Sequence, residues 1–158
     1  MPVALWLVPL LLVAAQVLKL LVLRAVGVQA FDQYAVPIRK LFWIFDATFL
    51  KNTGAAFGLF QGGAGWLVWI SLVVGFGLLL YMGRTRMPLL NQVALSLIAS
   101  GALGNAIDRL GRGWVVDYLD VNRTGLSFLD NFPVFNLADS CVVIGVILLL
   151  LPHRRRRF

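Results

Sequence analysis

Glutamate is absent from this chain. All seven carboxylates are aspartates, and five of them, Asp108, Asp117, Asp120, Asp130 and Asp139, fall between Gly101 and Ser140. Histidine and cysteine occur once each, as His153 and Cys141. A single cysteine excludes an internal disulfide. Ser140 and Cys141 lie roughly 18 Å or more from His153 along a helix, so no Ser–His or Cys–His couple forms there. Ligand-rich spacings such as H-E-x-x-H are missing, so no zinc or other metal site is expected, and no cofactor. A Ser–Lys pair through Lys19 has no local motif behind it. By elimination, the chemistry falls to carboxylates.

Polar sequence is scarce as well. Of 158 residues, 60% are hydrophobic, against ~45–50% in soluble domains, which marks an integral membrane protein with one domain over residues 1–158. The formal charge of +7 does not indicate nucleic acid. The basic residues gather at the ends of apolar runs, as Arg84/Arg86 and Arg154 to Arg157, rather than along a recognition helix or an aromatic groove.

In chain order, Val3 to Val26 reads as a first span. Val13-Ala14-Ala15 has the look of a signal-peptide cleavage site, but no Lys or Arg precedes the apolar run and hydrophobicity continues beyond it, so a retained helix is expected. Lys19 and Arg24 sit toward its far end, where long side chains snorkel to the interface. Residues 27–65 mix Phe31, Tyr34, Phe42, Trp43, Phe45, Phe49, Phe57 and Phe60 with Asp32, Arg39, Lys40, Asp46 and Lys51, a membrane–water interface composition. A short strand is predicted over Phe45 to Lys51, with a turn at Asn52-Thr53-Gly54.

Further spans are predicted over Trp66 to Met82, Pro88 to about Ile107, and about Asn136 to Leu151. Ser96, Ser100, Gly101 and Gly104 offer small positions for close helix packing. Residues 109–135 read as polar and turn-rich. The expected fold is thus all-α, with four transmembrane helices and a small sheet resting on the bilayer. Both termini and Arg84/Arg86 are expected on the cytoplasmic side, with residues 27–65 and 109–135 on the outer face.

Asp117 and Asp139 would then meet at one membrane face. Two carboxylates sharing a site hold one proton between them, so that one takes a proton from water while the other donates to a carbonyl oxygen. Placing Asp139 inside a span costs ~2.5–3.5 kcal/mol on insertion scales, which argues for a function. That function is either catalysis or a proton relay at this point. Asp108 is expected to pair with Arg109 or to serve as a helix-end charge, Asp120 and Asp130 to be solvated loop residues, and Asn136 to cap the fourth span.

Four motifs, KNTGAAFGLF at 51–60, GNAIDR at 104–109, VVDY at 115–118 and FNLADS at 135–140, stand in an order and spacing that closely resembles lipoprotein signal peptidase, or signal peptidase II. The resemblance covers nearly the whole chain. It implies an aspartic endopeptidase of the bacterial inner membrane, with an outer-face β-cradle and a mobile amphipathic segment. Its substrates would be diacylglyceryl-modified prolipoproteins in membrane lipid, cut just before the lipidated cysteine, and the site would also take the cyclic peptide globomycin. Carried onto this chain, the catalytic dyad falls on Asp117 and Asp139. Asn52, Gly54, Asn105, Asp108, Arg109 and Asn136 match the positions that line or support the site.

One departure stands out: where the family usually has Asp-Gln-x-x-Lys in the first span, this chain reads Ala15-Gln16-Val17-Leu18-Lys19. Two other classes remain in view. A proton-coupled transporter component would use the same carboxylates as a relay, but would favour polar residues through the depth of the spans. A non-catalytic lipoprotein-binding homologue would not need an intact dyad.

Overall fold

The computed structural model describes residues 3–27, 35–54 and 64–151. The readings made on Phe31, Asp32, Tyr34, Phe57, Phe60, His153 and the arginine tail lie outside the described residues. After one 3₁₀ turn (Val3–Trp6) come α1 (Leu7–Val26), β1 (Ala35–Phe42), β2 (Phe45–Asn52), α2 (Ala64–Arg84), α3 (Leu89–Arg112), β3 (Val115–Val121), the single turn α4 (Ser127–Asp130) and α5 (Leu137–Leu150).

Among the described residues, three helices are long and apolar enough to cross a membrane: Ala4–Val26, Gly65–Arg84 and Leu89–Arg112. These match the first three expected spans. The fourth, α5, is apolar but has 14 residues, or about 21 Å at ~1.5 Å per residue, against a hydrocarbon core of ~30 Å. Helix α3 is the central one: 56% of its most apolar window is buried, against 17% for α1 and α2. It packs on the other three long helices.

The small residues predicted for packing make that centre possible. Ser96, Ser100, Gly101 and Gly104 face inward. A Cβ on Gly101 would collide with the Ala138 carbonyl oxygen and come within 2.6 Å of Val142 Cγ2. A Cβ on Gly145 of α5 would in turn meet the Ala94 carbonyl oxygen at 2.6 Å. Helices α3 and α5 therefore approach through a glycine from each side, which leaves no room for side chains at those crossings.

The sheet is antiparallel in the order β1-β2-β3. The sequence located β2 to within one residue, but not β1 or β3. Segment 109–135, read as polar loop, holds β3, whose Val115, Val116 and Tyr118 are buried. Val116 and Tyr118 pack with Val26 at the end of α1, Phe49 and Trp114 in a core cluster. Phe49 and Trp114 meet edge-to-face at 5.8 Å, and the Lys51 ammonium lies 5.2 Å from the Trp114 ring centre.

Asp120 is a strand residue rather than a loop charge, and Asp130, solvated as expected, is tied into its loop. Asp120 pairs with Asp46 in the β2–β3 register and accepts from Thr48 Oγ1 at 3.1 Å. Asp130 accepts from the Thr124 backbone N–H and hydroxyl at 2.7 and 2.8 Å, which closes the loop before α5.

Candidate active site

Asp117 enters the site from β3, where its Cα is opposite Leu50 of β2. Asp139 enters from the first turn of α5. A short stitch brings them together: Phe135 accepts from the Tyr118 and Leu119 N–H groups at 3.0 and 2.7 Å, and donates its own N–H to the Leu119 carbonyl at 3.0 Å. This pins the start of α5 against β3. The buried Tyr118 hydroxyl accepts from the Leu137 N–H at 3.3 Å, and burial pushes its phenol up to about 12, so it stays neutral. Sequence reading missed Tyr118, though its place beside Asp117 in VVDY was a usable signal.

Asn136 caps α5 as predicted. Its side-chain oxygen accepts from the N–H groups of Ala138 and Asp139, while Asp139 Oδ2 accepts from the Asn136 N–H at 3.0 Å, a reciprocal capping box. Its Nδ2 then donates to Asp117 Oδ1 at 2.6 Å. One residue therefore touches both carboxylates.

Two more amides complete the set. Asn52 Nδ2 donates to Asp117 Oδ2 at 2.8 Å, with its own oxygen held by the Gly54 N–H at 3.0 Å. This is the predicted 52–54 turn, closed by an Asx contact. Asn105 Nδ2 donates to Asp139 Oδ1 at 2.7 Å. All four oxygens of the pair thus accept from neutral N–H donors, and among the described residues neither carboxylate makes an ion pair. Asp117 is buried and Asp139 half-buried. Burial, and then the negative charge of Asp139, raise the Asp117 carboxyl from 3.8 to about 7, against the opposing pull of Asn52 and Asn136.

The remaining motif residues form the layer behind. Asp108 does not pair with Arg109: adjacent helix positions point about 100° apart and do not face each other. Asp108 instead binds the Lys19 ammonium at 2.9 Å and the Arg112 guanidinium one turn on. It also takes the Val116 N–H at 3.0 Å, which ties α3 to β3 beside Asp117. Lys19 does not snorkel either. It is fully buried and also donates to Asn105 Oδ1 at 2.8 Å. Arg109 points to the cradle, where it donates to the Gly54 carbonyl at 3.0 Å. At the departure from the family pattern, Ala15 is buried and Gln16 donates to the Gly104 carbonyl at 3.0 Å. All eight motif residues fall in one connected network, which also takes in Lys19.

Two solved structures, each a bacterial membrane enzyme determined by the in meso method, share this fold. The first superposes with a TM-score of 0.80 at 28% identity, covering 98% of this chain and 93% of the other. The second has a TM-score of 0.75 at 29% identity, covering 98% and 94%. An integral membrane enzyme is the class so defined. The family profile described as Signal peptidase (SPase) II matches residues 7–153. Lipoprotein signal peptidase of Microcystis aeruginosa is 45% identical over 143 residues, 85% of this chain and 86% of that protein. That of Halothermothrix orenii is 43% identical over 136 residues, 86% and 84% of the two chains. The chain belongs to the signal peptidase II family, and is therefore a protease.

Proposed function

We propose that this protease removes signal peptides from prolipoproteins by aspartic catalysis, with Asp117 and Asp139 as the catalytic pair. The observation that carries the assignment is the shared Asn136, which holds one oxygen of each carboxylate while, among the described residues, neither makes an ion pair. A pair held this way keeps a proton at neutral pH. Asp139, the less buried, takes a proton from water as the water oxygen attacks the scissile carbonyl carbon. The proton held at Asp117 passes to the carbonyl oxygen. As the tetrahedral diol collapses the C–N bond breaks, the amine takes the proton now on Asp139, a diol hydroxyl returns its proton to Asp117, and the pair again holds one proton.

The substrate is a diacylglyceryl-modified prolipoprotein, cut before the lipidated cysteine, and membrane lipid surrounds it. Asn52, Gly54, Asn105, Asp108, Arg109 and Asn136 support the site, which also binds globomycin-type inhibitors. The protein lies in the bacterial inner membrane with four spans, the short α5 being the last. Both termini are cytoplasmic, and the sheet and carboxylates face outward. Ser96 and Ser100, deep in α3, donate to the carbonyls of Ala4 and Leu97. They are spent on packing, which disfavours a proton path through the bundle.

The test is incubation of the purified protein with a diacylglyceryl-modified prolipoprotein and with its unlipidated precursor. Loss of the signal peptide from the lipidated form alone is expected. Equal cutting of both forms, or of neither, would sink the substrate assignment.

A further inference from the structure

At the end of the bundle away from the sheet, the α2–α3 connection lines an open cavity of about 340 Å³, formed by Met82, Gly83, Arg84, Thr85, Arg86, Met87 and Gln92. We propose that this cavity binds the phosphodiester headgroup of an anionic phospholipid, with Arg84 and Arg86 as its cationic ligands.

Charge is the first reason. Arg84 and Arg86 are exposed, and among the described residues neither has an ion pair or hydrogen bond. Every described acid lies elsewhere, in the sheet, in the loop before α5, or in the carboxylate site. Two guanidiniums within three residues, with no anion to answer them, favour a phosphate, which matches their fork of N–H donors.

The second reason is the construction of the cavity. Its floor is fixed: Gln92 donates to the Met87 carbonyl at 2.9 Å and accepts from the Ala4 N–H at 3.5 Å, so the connection is tied to the first turn of the chain. The Thr85 N–H is used by Tyr81, but no hydrogen bond occupies its hydroxyl among the described residues. Tyr81 and Leu89, each within two residues of the lining, are 55% and 63% exposed and give it an apolar and aromatic rim. Aromatic side chains of this kind settle at headgroup depth. A soluble anion would gain nothing from that rim, whereas a phospholipid would lay its acyl chains along it. The inference rests on membrane embedding, not on the catalytic assignment or on which end is cytoplasmic.

The test is native mass spectrometry of the full chain, released from detergent containing equal phosphatidylglycerol and phosphatidylcholine. The parent should retain phosphatidylglycerol preferentially. Arg84→Gln/Arg86→Gln should cut that preference by about tenfold or more, as expected for removing two cations beside an anionic headgroup, while Arg84→Lys/Arg86→Lys should recover much of it. Arg39→Gln/Lys40→Gln, on β1, should leave it unchanged, as a site-specific effect requires. Raising the salt from 50 to 500 mM should weaken the parent's preference on its own. Cleavage by the glutamine variant in detergent should stay at the parental rate, since the cavity and the carboxylates are at opposite ends. Equal retention of the two lipids by the parent, or the same loss from the β1 variant, would overturn the proposal. Retention of inorganic phosphate or glycerol phosphate as firmly as phosphatidylglycerol would assign the cavity to a soluble anion and overturn the lipid reading.

Discussion

Lys19 reaches Asn105 across 86 residues of sequence, its ammonium 2.8 Å from the amide oxygen. That contact fixes which way the amide points. With its oxygen on the ammonium, Asn105 has only its NH₂ to offer Asp139. Lys19 is thus a positioning residue for a carboxylate it does not touch.

Lys19→Met should therefore damage both fold and turnover. Asp108 would stay buried with one cation fewer, and breaking a buried pair costs about 3–5 kcal/mol. Thermal unfolding would read that loss. Cleavage of a lipidated prolipoprotein should fall further than the unfolded fraction explains, because the Asn105 amide loses the shorter of the two contacts that orient it, keeping only the 3.2 Å donation from Asn136 Nδ2. A variant as active and as stable as the parent would remove Lys19 from the network.

Asp117→Asn and Asp139→Asn should each lower the cleavage rate by ~10²–10⁴-fold, the range for a lost acid–base group. The double variant should be little worse than either single one, since the two act as a unit. Asp120→Asn should stay near the parental rate, because its contact with Thr48 lies within the sheet. Substantial activity in well-inserted Asp139→Asn would take that residue out of the chemistry.

Cleavage should fall as pH rises through about 7, where Asp117 gives up its proton. The pair then carries two charges and has no proton for the carbonyl oxygen. Stability should move the same way. A carboxyl raised in the folded state binds its proton more tightly there than when unfolded, so its contribution is full below 3.8 and declines as pH rises towards about 7. Unfolding midpoints between pH 4 and 8 would check the sign, and Asp117→Asn should flatten that part of the slope.

Gly101→Ala should destabilise by about 1–3 kcal/mol, as overpacking does, and shift the start of α5 with Asp139 on it. Gly104→Ala should be tolerated, since its added carbon would meet Ala138 Cβ at an ordinary 3.4 Å. Comparing unfolding temperatures and cleavage rates of the two variants tests whether α3 and α5 pack as tightly as these positions require.

Local signals were readable and distant ones were not. The Asn136 cap, the 52–54 turn and the small face of α3 announce themselves within a few residues. Strand β3 was obscured by the glycines and aspartates around it, although Val115, Val116, Tyr118 and Val121 have strand chemistry. Lys19 and Asp108 were both misjudged, because they pair with each other across two helices and helical neighbours in sequence do not share a face. The predicted fourth span is longer than the helix found there, since the 14 helical residues of α5 fall short of a full hydrocarbon core.

The three asparagine amides have one further consequence. Each has its oxygen already claimed, by Gly54, by Lys19, or by the first turn of α5, so none can rotate without losing that anchor. All of them deliver N–H inward, and the lone pairs left over on Asp117 and Asp139 face whatever arrives. The pocket is therefore a sorting device for proton donors. A visiting hydroxyl or ammonium finds acceptors waiting, whereas a visiting carbonyl or carboxylate meets like against like unless the pair first lends it a proton. A tight inhibitor of this site should be one that brings its own hydroxyl to the two aspartates.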